Sequence, residues 1–157
     1  MTAIGWLKWR SAVDECRIHA LRLRVALSRV VGRIPLDGAG IDRLDDESTA
    51  WLDQFLYRFS KLQDAIGERV FVIGLLLLGE DFRDKPFIDV LDRLEALGLM
   101  PSSVWWRELR ELRNQIAHEY PERRSEQAAA INAIFERSPE LMRVFEEFVR
   151  TVEEKKR

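Results

Sequence analysis

The 157-residue chain has a single cysteine, Cys16. It can form no internal disulfide, which fits a reducing compartment and gives the cytoplasm as the expected location. Cys16 lacks the basic or helix-start environment that favours a thiolate. No Cys and His grouping approaches zinc-ligand spacing and no glycine-rich loop could cradle a nucleotide, so neither metal nor cofactor is expected. The longest apolar run, VFVIGLLLLG at 70–79, is about half of the roughly 20 residues that cross a bilayer. It reads as a helix segment buried on several sides, in the core or in a subunit interface, and no membrane partner is expected. MTAIGWLKWRSAVDECRIHA, at the N-terminus, has no apolar stretch between a basic start and a small-residue cleavage site, so no signal peptide is expected. Sustained apolar–polar alternation bounded by turn residues is also missing, which argues against strands.

What is present fills one core. Apolar residues make up 46% of the chain, with five Trp and eight Phe, enough for a single domain over 1–157 with a charged tail at about 152–157. They recur at three- and four-residue spacing almost throughout, so the fold class is all-α. The first long helix runs from about Thr2 or Ile4 to Val31 and is ended by Gly32 and the turn-rich RIPLDGAGIDRLDDES. A second long helix, capped by Asp46 or Ser48, continues to about Leu78, and the two pair most naturally as antiparallel neighbours. Pro86 opens a short third helix, FIDVLDRLEAL, closed by Gly98. Ser102 or Ser103 caps the fourth, VWWRELRELRNQIAHEY, which stops or kinks at Pro121. RRSEQAAAINAIFER is a fifth helix, and Ser138-Pro139-Glu140 opens a last one.

Net charge is −2, which gives no general pull toward nucleic acid, but the charges are unevenly placed. Residues 1–35 carry Lys8, Arg10, Arg17, Arg22, Arg24, Arg29 and Arg33 against Asp14 and Glu15; residues 36–53 carry Asp37, Asp42, Asp45, Asp46, Glu47 and Asp53 against Arg43. A basic first helix can hold phosphates. The same arginines can equally form a solvated face or pair with the acidic stretch.

The segment RNQIAHEY, residues 113–120, concentrates chemistry at the end of the fourth helix. At about 100° per residue, Leu109, Leu112 and Ile116 form a core stripe flanked by Tyr120 and Arg113, while Asn114 and His118 lie roughly 140° and 180° from Leu109. His118 thus faces away from the core of its own helix. Asn114 and His118, four apart, can share a hydrogen bond across one turn, and the planar guanidinium of Arg113 suits phosphate oxygens, so the three can converge on one anionic centre. Near a helix C-terminus the macrodipole favours imidazolium, and an ordinary value of about 6.5 lets histidine exchange a proton near neutrality. One histidine is half of an acid–base pair. A symmetric dimer placing two such helices face to face would supply two His118 and two Arg113 to one cleft.

The arginine, the Asn directly after it and the histidine five residues on resemble the signature of the HEPN superfamily. Extension through Tyr120 is similar to the Arg-x4-His-x-Tyr form of the HepT toxins, and YRFSKLQDAIGERVF at 57–71 resembles their second helix. With the helix lengths, the resemblance spans most of the chain. It implies an up-and-down bundle of four to five main helices, two of them long and antiparallel. It also implies a homodimer in which Arg113 and His118 form the core of a metal-independent endoribonuclease acting on tRNA or mRNA, with Asn114 orienting the histidine or the phosphate. Tyr120 matches the tyrosine adenylylated by the partner minimal nucleotidyltransferase antitoxin, a modification that would keep RNA from the cleft.

Arg58, Lys61 and Asp64, spaced by threes on the second helix, share one face; they either border the cleft or form a solvated polar stripe. His19 reads as structural or surface, and the rings of VWW at 104–106 as core or interface packing in preference to base stacking. Two alternatives to the nuclease stay open: a catalytically idle helical subunit that presents substrate to a nucleotidyltransferase, and a purely structural helical dimer.

Overall fold

A computed structural model describes residues 2–118 and 121–156. Among these residues all regular structure is helical: α1 (Ala3–Val30), α2 (Gly38–Asp42), α3 (Asp46–Ala65), α4 (Phe71–Leu77), α5 (Phe87–Ala96), α6 (Ser103–Gln115) and α7 (Arg124–Glu154). Local chemistry sets several boundaries. Thr2 Oγ1 accepts from Gly5 N at 3.3 Å, Asp45 Oδ1 from Ser48 N at 2.8 Å and Ser102 Oγ from Trp105 N at 2.9 Å, each satisfying an N–H that a helix start leaves orphaned. The α3 cap thus falls one residue before the earlier of the two expected positions. Gly98, at φ 70°, ends α5 as expected. Its N–H reaches Glu95 O and that of Leu99 reaches Leu94 O, both at 2.9 Å, the six-to-one and five-to-two pattern of a glycine-closed helix.

α1 and α3 lie side by side and antiparallel, since their cross-contacts run in opposite order: Arg29 over Trp51 and His19 against Arg58, with Glu15 against Arg69 just beyond the end of α3. α1 turns Trp9, Ala12, Val13, Cys16, Ala20, Leu23 and Ala26 inward, and α3 answers with Leu52, Phe55, Phe59 and Leu62. The buried side chains form one continuous cluster that α4, α5, α6 and α7 complete. Phe55, Phe59, Phe71, Phe145, Phe148 and Trp106 are all less than 2% exposed, and each contributes about 2–3 kcal/mol of apolar transfer. Trp105 and Trp106 are core residues: the Trp106 ring lies 4.9 Å from that of Phe71 and 6.4 Å from that of Phe87.

Two expectations are corrected by packing. The second long helix is not uniform. Between α3 and α4 the chain makes a π-turn at Ile66–Val70, with Phe71 N–H bonding to the Ile66 carbonyl. The extra residue re-phases α4 by about 100°, which turns Phe71, Gly74 and Leu75 into the core. Second, the expected fifth and last helices are one, α7, running through Pro139. An interior proline costs about 3 kcal/mol, yet Ile131, Ile134, Leu141, Met142, Phe145 and Phe148 are buried on either side of it. Their combined burial exceeds that cost. Ser138, fully buried, donates its hydroxyl to the Ile134 carbonyl at 2.6 Å instead of capping a new helix.

The turn-rich segment after α1 contains α2 and docks on α7. Asn132 holds Leu36 by two reciprocal 2.8 Å bonds, from Leu36 N to Oδ1 and from Nδ2 to Leu36 O, and Arg124 Nε lies 3.2 Å from Asp42. Among the described residues one ion pair, Arg33–Asp45 at 3.8 Å, joins the basic first 35 residues to the acidic stretch beyond them. Arg17 pairs instead with Glu146 of α7 at 3.1 Å.

Candidate functional site

α6 ends at Gln115, sooner than its apolar spacing suggests; Ile116 N–H still reaches Leu112 O at 3.3 Å and Ala117 N–H reaches Asn114 O at 3.2 Å. Pro121 bars the helix from resuming its ladder further on. It has no N–H to donate, and its ring would collide with the carbonyl four residues back, at Ala117. His118 lies in a bend beyond the helix, exposed, and the four-residue relation to Asn114 is not a helical one. Tyr120, expected as the modified residue, lies outside the described residues.

Arg113 faces α3. Its Nη2 donates to Asp64 Oδ2 at 2.9 Å, with 29% and 22% of the two side chains exposed, while Arg110 stands 3.9 Å from the other oxygen of the same carboxylate. The Nε of Arg113 is buried and bonds to no described group, so the Nη arm alone orients the fork. Lys61 and Asp64 line the same cleft, of about 280 Å³, together with Tyr57, Ile116 and Ala117. These two members of the Arg58–Lys61–Asp64 set lie beside Arg113.

Asn114 and His118 open elsewhere. They line a groove of about 670 Å³ between the end of α6 and the start of α7, together with Glu111, Arg123, Gln127, Ala129 and Ala130. Within one protomer the expected convergence of Arg113, Asn114 and His118 is thus split between two clefts on either side of one turn.

Arg58, the third member of the α3 set, lies one turn further from the motif. Its Nη1 is 3.0 Å from His19 Nδ1, and since a guanidinium keeps its protons the imidazole nitrogen is the acceptor. The His19 side chain is 12% exposed, with Nε2 3.8 Å from Glu15; Glu15 also pairs with Arg69. Burial, then the Arg58 charge, hold His19 below its ordinary value, so it is a neutral imidazole locked as an acceptor toward Arg58. Its structural role matches expectation, but the Glu15–His19–Arg58–Arg69 linkage was not foreseen. The one sequence signal for it is the four-residue spacing of Glu15 and His19 on α1. Cys16, fully buried, has its thiol pushed up to about 12, first by burial and then by the Glu15 charge.

No family model matches the chain, and no curated protein or solved structure matches it either. Among the described residues no helix is long and apolar enough to cross a membrane, and no three His, Cys, Asp or Glu side chains are grouped to hold a metal ion.

Proposed function

We propose that the chain is a HepT-type, metal-independent endoribonuclease of the cytoplasm, its helices arranged as a HEPN-like up-and-down bundle. It acts as a homodimer and is silenced when a minimal nucleotidyltransferase antitoxin adenylylates Tyr120. The observation that carries this reading is the arrangement at the end of α6. His118 and Asn114 open into a groove of about 670 Å³, and on the other side of the same turn Arg113 is oriented by Asp64. A two-fold axis beside that turn would set His118 opposite His118 of the partner subunit, with guanidinium groups flanking both.

Such a pair performs RNA cleavage without loss of atoms or charge. One imidazole takes the proton of the 2′-hydroxyl as that oxygen bonds to phosphorus. The bond from phosphorus to O5′ breaks, its electron pair stays on O5′, and the imidazolium of the partner subunit's His118 protonates it. Arg113 stabilises the charge gathered on the non-bridging oxygens. The products are a 2′,3′-cyclic phosphate and a 5′-hydroxyl.

The test is cleavage of tRNA and mRNA in EDTA by the unmodified dimer. Wild type should cut, and His118→Ala and Arg113→Ala should each lose at least a hundredfold in rate. Equal rates in wild type and His118→Ala would refute the assignment. No cleavage by an unmodified dimer that binds a nucleotidyltransferase tightly would make the chain a substrate-presenting subunit instead.

A further inference from the structure

A third groove, of about 490 Å³, runs between the exposed faces of α1 and α3, with Arg22, Trp51, Gln54 and Arg58 among its lining residues. No carboxylate lines it. Among the described residues Arg22, Arg29, Arg58 and Lys61 have no acidic side chain within ion-pair distance, whereas the nearby Arg17, Arg69 and Arg113 are each paired. In a chain of net charge −2, four uncompensated cations on one face concentrate positive potential there.

The groove also shows organisation. Arg58 is positioned by a neutral acceptor, His19 Nδ1, which orients the fork without cancelling its charge, and its guanidinium rests 5.4 Å from the centre of the Tyr57 ring. The Trp51 ring is half-buried and carries the Arg29 guanidinium 5.3 Å from its centre, so a planar cation already occupies a stacking surface. Along α3 the groups form one stripe, Trp51, Gln54, Arg58, Lys61 and Asp64, at spacings of three and four. Thirteen residues of helix separate Trp51 from Asp64, about 20 Å. The stripe ends at Arg113 on one side, and on the other at Asp45, Asp46 and Glu47 around the start of α3, which repel phosphate.

We infer that this groove binds single-stranded RNA, with Arg22 and Arg58 holding a backbone phosphate and Trp51 stacking a base in place of the Arg29 guanidinium. It forms a track that leads the strand away from the Arg113 cleft. RNA as the ligand rests on the nuclease proposed above. The alternation of cationic forks with an aromatic face matches the alternation of phosphate and base in a single strand.

The test measures binding of a fluorescein-labelled single-stranded RNA to the full-length His118→Ala protein by anisotropy across a salt series. Arg22→Ala and Arg58→Gln should each weaken binding and lower the salt slope by about one, and Trp51→Leu should weaken it about tenfold. Arg24→Ala removes an equal charge on α1 beside α7 and should leave affinity within about twofold. Arg22 is exposed, so its loss reports on binding even if Arg58→Gln disturbs folding. Groove variants that bind like the parent, or a loss shared equally by Arg24→Ala, would overturn the track while leaving the nuclease intact. So would wild-type cleavage without measurable binding by His118→Ala. Absence of both binding and cleavage would remove the nuclease and the track together. Unchanged RNA affinity with altered dimer mass would make this face a protein interface and overturn the inference.

Discussion

Asp64→Asn isolates the contact that orients Arg113. In the folded chain one Nη of Arg113 bonds to the carboxylate at 2.9 Å, and both side chains remain partly in water, at 29% and 22% exposure. A hydrogen bond to a charged group contributes about 1.5–3 kcal/mol, and solvent screening at this exposure reduces that to about 1–2 kcal/mol. The two halves of the pair are unequal. Without Arg113, Asp64 retains Arg110, 3.9 Å away; without the carboxylate, Arg113 keeps a buried Nε that bonds to no described group and loses the ion pair that holds its Nη arm. Asp64→Asn should therefore lower stability by about 1–2 kcal/mol. Arg113→Met should cost less on the side of the pair, and a double-mutant cycle should return a coupling of about 1 kcal/mol. The assay is urea unfolding, read as a shift in midpoint at constant slope. A coupling below about 0.3 kcal/mol, the usual error of additivity, would refute the claim that Asp64 orients Arg113. At a temperature where both proteins stay folded, an Arg113 that has lost its orientation should cut RNA about ten- to a hundredfold more slowly, with RNA affinity little changed.

Three further expectations come from the packing. A Cβ on Gly74 would stand 2.5 Å from two ring carbons of Phe148 and 3.0 Å from Trp9, both rings fully buried. Gly74→Ala should thus lose about 3 kcal/mol to overpacking and regain about 1 kcal/mol of helix propensity; an unchanged urea midpoint would contradict this. His19 is held below its ordinary value by burial and by Arg58, with Glu15 opposing and Lys61 reinforcing. The folded chain therefore binds fewer protons than the unfolded one between the lowered value and about 6.5, so stability falls as pH drops through that window and is flat above it. His19→Gln should flatten the fall between pH 7 and 5, and equal slopes would count against the assignment. Cys16, its thiol raised to about 12, should resist iodoacetamide at pH 8 in the native protein and react once unfolded, as intact mass will record.

Features set by near neighbours were legible without the structure. Ser102 caps α6 and Gly98 closes α5 because each acts on backbone groups within a few residues, and the antiparallel pairing of α1 with α3 comes from two long apolar stripes that follow one another in the chain. What escaped depends on contacts between distant residues. Continuity of α7 through Pro139 is decided by side chains that meet it from α1, α3, α4 and α6, and local propensity alone argues for a break. The π-turn at Ile66–Val70 is compelled by which residues must face the core downstream, and Gly67, whose Cβ would lie 3.1 Å from Trp106, shows how closely α6 approaches there. Arg113 and Asp64 are 49 residues apart, Arg58 and His19 39. The types and spacing of these side chains could mark a face of a helix but could not say which partner it meets.

The division of the motif between two clefts has a geometric origin that does not depend on where α6 stops. Five residues along a helix turn through about 500°, leaving Arg113 and His118 roughly 140° apart even if the helix had continued. Ending it at Gln115 frees His118 from the axis but leaves Arg113 tied to α3 through Asp64. In the folded chain the guanidinium and the imidazole line separate clefts of one protomer. An arginine–histidine pair at this spacing is suited to presenting its two members on opposite sides of a turn, where a second copy can meet both. On the proposed chemistry, then, association of two chains is a condition of assembling the site, and the bend that carries His118 beyond Gln115, rather than the helix before it, sets how far apart the two imidazoles can stand.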